Sequence, residues 1–137
     1  WGSNDDKGFV ARALEYLHAT CPADTRINLS FVGLSDTLAV DFLNSGNEIN
    51  PIVFKQGIDG GNYISKTNVV NVSDFSESWE LVKFGLEHAS SDRHLILTIT
   101  LHIPNVNISG EKDTLIGTLQ VAEISLPGKL KLIDFVL

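Results

Sequence analysis

The residues of this chain that could do chemistry are four histidines, one cysteine and scattered serines and carboxylates, and their spacing argues against most reactions. His18, His88, His94 and His102 never fall at the i,i+4 interval that sets two imidazoles on one helical face for zinc. Cys21 alone cannot complete a structural zinc site. Ser90 and Ser91 stand near His94 as a nominal nucleophile and base, yet no glycine elbow surrounds either serine, and a helix-to-strand turn is the better reading. The carboxylate pairs Asp5-Asp6 and Glu111/Asp113 lie in polar stretches, where solvated charge is commoner than acid-base catalysis. Gly128-Lys129 is followed by Leu130 and lacks the earlier glycine of a Gly-x4-Gly-Lys-Ser/Thr phosphate loop. Gly57, Gly60 and Gly61 could form an anion nest, but no lysine and hydroxyl follow at the spacing that a nucleotide site needs. No enzyme activity, cofactor or metal is expected.

Composition narrows the partners. Seventeen acidic against ten basic residues leave a net charge of -7, which repels phosphate backbones and opposes unaided binding to any acidic surface. No nucleic-acid partner is expected. The apolar runs fall far short of the roughly 20 residues of a membrane helix, so no membrane partner is expected either. A lone cysteine fits a reducing intracellular setting, where the sequons at Asn28, Asn71 and Asn107 are chance occurrences. With 137 residues and 43% of them hydrophobic, the chain can bury one core. It starts at Trp1 without an initiator Met or signal peptide, and is read as a piece of a longer protein.

The elements that must position these residues follow from periodicity. Asn4-Asp5-Asp6 offers capping carboxylates ahead of Phe9, Val10, Ala13, Leu14 and Leu17, one apolar face of a helix over 7–20. Asp74 and Glu77 have capping-box-like spacing before Phe75, Trp79, Val82, Leu86 and Ala89, which predicts a second helix over 74–89. Two-residue alternation predicts strands near 27–33, 95–103 and 115–124. Segments 52–56 and 63–72 flank a glycine-rich stretch and read as a hairpin, and 130–137 alternates like a final strand. The expected fold is a single α/β domain over 1–137, a mixed twisted sheet with both helices on one face and strand 115–124 at an open edge.

At Ser90-Ser91-Asp92-Arg93-His94 the chain resembles a damaged kinesin switch I signature, Asn-x-x-Ser-Ser-Arg-Ser-His. Gly8-Phe9-Val10-Ala11-Arg12-Ala13-Leu14 is similar to the Gly-Ile-Ile-Pro-Arg-Ala-Leu segment that follows the kinesin phosphate-loop helix, and 27–43 is similar to the strand that ends in Asp-Leu-Leu. Asn71-Val72-Ser73-Asp74 matches the approach to switch I, and Gly117 to Ile124 the strand that ends in switch II. Four landmarks in the family's order cover nearly the whole chain.

The departures from the family's pattern carry the functional expectation. Where the family reads Asp-Leu-Ala-Gly-Ser-Glu, this chain has Glu123-Ile124-Ser125-Leu126-Pro127-Gly128, without the glycine whose amide reports the γ-phosphate. The switch I arginine and switch II glutamate that close the family's site align with Asp92 and Gly128, and the family's asparagine aligns with Glu87. Arg93 is a candidate structural partner for Glu123. The resemblance therefore implies a partial P-loop-type fold and a pseudo-motor, similar to the non-catalytic motor-homology subunits that partner fungal C-terminal-motor kinesins. It implies partnership with microtubules (tubulin) and a catalytic kinesin subunit, in the cytoplasm on the cytoskeleton, at the spindle or its poles. Lys55 and Lys66 flank the hairpin loop that corresponds to a family contact with tubulin. The alternatives are a general α/β protein-interaction domain without microtubule binding, and an active kinesin ATPase fragment.

Overall fold

The computed structural model describes residues 1–2, 6–35, 38–43, 47–49, 54–56, 62–64, 67–89 and 93–124. The elements in chain order are α1 (Phe9–Thr20), β1 (Arg26–Leu34), β2 (Ala39–Asp41), β3 (Asn47–Ile49), β4 (Phe54–Gln56), β5 (Asn62–Ile64), β6 (Val70–Val72), α2 (Phe75–His88), β7 (His94–Val106) and β8 (Lys112–Glu123). The class is mixed α/β: a six-stranded sheet in the order β3-β2-β1-β7-β8 with β6 also on β1, a separate β4-β5 pair, and two helices.

β1 is the hub of the sheet. β7 pairs with it along its whole length, from Arg26↔His102 to Leu34↔His94. β6 takes the first half of its other edge, at Ile27↔Val72 to Leu29↔Val70, and β2 takes the second half, at Val32↔Asp41 to Leu34↔Ala39. All described pairings are antiparallel, where sequence reading anticipates a mixed sheet. The reason lies in the crossover: β6 and β7 run in the same direction and α2 joins them, but β1 sits between them, so no two parallel strands are neighbours.

Alternation assigns the two faces. Ile27, Leu29 and Phe31 stand beside Leu101, Ile99 and Leu97, and this face forms one core with Val10 and Leu14 of α1 and Val82 of α2. Each such side chain, when fully buried, contributes about 1.5–3 kcal/mol. Both helices therefore share a face of the sheet, as their apolar spacing predicts. On the other face Val32, Leu34, Ala39, Asp41 and His94 are buried at one end. Farther along it carries Asn28, Ser30, Thr98, Thr100, Thr118 and Gln120, half-buried or exposed. Among the described residues β8 pairs only with β7.

Three boundaries differ from the sequence reading. α1 begins at Phe9 with Gly8 as N-cap and no side-chain cap bond; Asp6 instead lies 3.8 Å from Arg12. Gly8 stands there because a Cβ would fall 2.4 Å from the Trp1 carbonyl carbon. The strand anticipated over 63–72 is split: β5 pairs with β4, while β6 joins the main sheet. Between them the backbone N–H of Asn68 is tied to Asp41, and its side-chain amide donates to the Leu43 carbonyl at 3.0 Å. The described part of the strand anticipated over 52–56 in the main sheet, Phe54–Gln56, likewise belongs to the separate pair as β4. The segment 130–137 lies outside the described residues.

α2 approaches the sheet closely at Gly85, where an added Cβ would lie 3.0 Å from Phe31 Cδ1 and 3.3 Å from Phe42 Cβ. Gly85→Val must push α2 away from the sheet, and we expect a loss of about 1–3 kcal/mol in urea unfolding, with the helix content of the folded state unchanged.

Candidate functional site

The described ends of the two segments that resemble the kinesin switches, Arg93–His94 and Glu123–Ile124, lie at one end of the sheet. β7 begins at His94 and β8 ends at Glu123, and the register Leu95↔Glu123 sets them side by side. Glu123 thus shares the helix-covered face. There it accepts a hydrogen bond from the Trp1 indole Nε1–H, and the Trp1 ring packs on Phe31 with centroids 5.3 Å apart. Arg93 lays its aliphatic stem over Gly33, where an added Cβ would be 3.4 Å from Arg93 Cδ. Glu123 is held by Trp1 rather than by Arg93, and no ion pair links Arg93 and Glu123 among the described residues.

His94 is buried on the opposite face beside Leu34, in a strand position where a histidine faces packing rather than solvent. Ser90, Ser91, Asp92, Leu126, Gly128 and Lys66 lie outside the described residues. Lys55 is exposed in the middle of β4, opposite Tyr63. Glu87 is exposed near the end of α2.

A serine and histidine at hydrogen-bond distance do occur, though elsewhere than their sequence proximity suggests. His18 in the last turn of α1 lies 2.7 Å from Ser78 Oγ of α2, 60 positions away. Ser78 Oγ donates to the Asp74 carbonyl at 2.9 Å, so its oxygen accepts from the imidazole Nε2–H. Asp74 is the N-cap of α2, its carboxylate accepting from the Glu77 N–H at 2.8 Å, while Glu77 Oε2 accepts from the Ser73 N–H at 2.7 Å. Ser78 has no exposed surface, so its hydroxyl meets no substrate. The pair is a polar joint between two helices. Only the packing of α1 on α2 signals it; no motif does.

The remaining chemistry is sparse. Among the described residues no three histidine, cysteine, aspartate or glutamate side chains cluster to hold a metal, and no helix is long and apolar enough to cross a membrane. No protein-family model matches the chain, and no curated protein matches it.

Burial of His18 lowers its pKa from 6.5, against the opposing pull of Asp74 and then Glu77. The unfolded chain therefore takes up this proton more readily than the folded one. Stability conferred by neutral His18 is present above pH 6.5 and is lost as pH falls toward the folded-state pKa. In thermal melts across that window, His18→Gln should flatten this part of the pH dependence, and a slope identical to that of the unaltered protein would rule the joint out as its source.

Proposed function

We propose that the chain is a non-catalytic kinesin-like module that serves a microtubule motor assembly through binding, without hydrolysing ATP. The observation that carries this reading is the Leu95↔Glu123 pairing, which brings the ends of the two switch-like segments together at one edge of the fold. In a working site that juncture would hold a charged pair and a glycine amide facing phosphate. Here Glu123 is tied to Trp1, and the sequence substitutes Asp92, Leu126 and Gly128 at the positions aligned with the switch residues. A carboxylate with an indole donor for its partner also leaves negative charge where a phosphate would need cations.

A second reading, a general α/β protein-interaction domain that never meets a microtubule, is favoured by the polar second face. Sheets covered by helices on both faces are near-continuously apolar, whereas Asn28, Ser30, Thr98 and Thr100 make one face of this sheet partly hydrophilic.

Calorimetric titration with ATP and ADP in the presence of magnesium should give no heat of binding, and micromolar affinity with turnover would overturn the non-catalytic reading. Cosedimentation with microtubules separates the two binding readings. The net charge of -7 leads us to expect weak pelleting that disappears as ionic strength rises through about 0.15 M, and complete absence of pelleting at low salt would favour the second reading.

A further inference from the structure

The outward stripe of α2 combines an apolar floor with an acidic rim. A groove along it is lined by Glu77, Glu80, Leu81, Lys83, Phe84 and Glu87. These positions recur at three- and four-residue intervals, so they lie on one helical face. From Glu77 to Glu87 the stripe runs roughly 15 Å, the length of about three helical turns. Phe84 is 42% exposed despite its size. Its ring packs on His88 with centroids 4.3 Å apart, and His88 Nδ1 lies 2.7 Å from the Phe84 carbonyl oxygen. A large exposed aromatic on a helix face is the kind of residue that anchors an interface.

Charge selects the occupant. Among the described residues three carboxylates and one ammonium line the groove: Glu80 is matched to Lys83 at 2.6 Å, Glu77 accepts from the Ser73 N–H at 2.7 Å in the helix cap, and Glu87 adds negative charge at the other end. An acidic surface, a nucleic acid or a phosphate is repelled there. We propose that this stripe docks a basic amphipathic helix of a partner protein, its lysines or arginines meeting the glutamates and an apolar side chain seated on Phe84 and Leu81. The site goes beyond the kinesin-like reading and does not rest on it.

The probe is a fluorescein-labelled helical peptide of about 14 residues, with leucines on one face and lysines flanking them, titrated by anisotropy against the 137-residue chain. Saturable binding is expected. Phe84→Ala and Glu87→Lys should each weaken it about tenfold, while Glu111→Lys, the same charge change in the distant β7–β8 turn, should alter it less than about twofold. Equal weakening by Glu87→Lys and Glu111→Lys would mean non-specific attraction to an acidic chain and would overturn the site, as would absence of saturation. Amide shift mapping on the unsubstituted protein gives a readout free of folding effects: shifts confined to 77–88 support the site, and shifts spread over the surface overturn it.

Discussion

The structure depends on the burial of Phe31. It has no exposed surface, stands in register with Leu97 across the β1–β7 pair, and meets the rings of Trp1 and Phe42 at centroid distances of 5.3 Å each. Above it, α2 approaches at Gly85, where an added Cβ would lie 3.0 Å from the Phe31 ring. One side chain thus gathers the first residue of the chain, the end of β2, the central strand and the second helix. Tilted ring pairs at this separation add about 0.5–1.5 kcal/mol beyond their area burial. Because β1 carries Phe31 and also pairs with β2, β6 and β7, a one-residue slip in its register would turn the whole apolar row to the other face.

The two faces of the sheet have different chemical consequences. The helix-covered face is apolar along its centre, and Glu123, at its exposed end on β8, accepts from the Trp1 indole. At the buried end of the opposite face sits Asp41, whose carboxylate accepts from the N–H groups of Leu43 and Asn68. A carboxylate so placed organises backbone, fixing the segment before β6 against the end of β2. Farther along, that face carries hydroxyl and amide side chains, with Gln120 donating to Thr98 Oγ1 at 3.3 Å and Asn71 to Asn28 Oδ1 at 3.0 Å, before it reaches Arg26, His102 and Ile116. Cross-strand pairs of this kind stabilise the sheet while leaving the face wettable.

His18 and Ser78 show why distance alone does not make a catalytic pair. A separation of 2.7 Å would suit proton transfer, but the serine proton is committed to a helix-cap carbonyl and the oxygen is sealed from solvent. The same joint ties the end of α1 to the start of α2, where the cap carboxylates lie.

Local signals were legible where one period rules. The apolar spacing along Phe75 to Leu86 and the Asp74/Glu77 cap located α2 almost to the residue, and alternation located β1, β7 and β8. Legibility failed where partners are distant. The start of α1 is shaped by Trp1 and Gly2 packed against Gly8, not by a capping carboxylate, and the stretch between β5 and β6 is broken by Asp41, more than twenty positions earlier. Of the candidate site, the sequence named Arg93, His94 and Glu123 but not their surroundings. By itself, then, the sequence determined which segments are helix or strand, which side of each is apolar, and that no phosphate loop or metal set is spelled out along it. Tertiary structure decided which strands are neighbours, that β1 separates the parallel-running β6 and β7, and that Glu123 is answered by Trp1 from 122 positions away, because strand pairing and burial are set by contacts that no local period records.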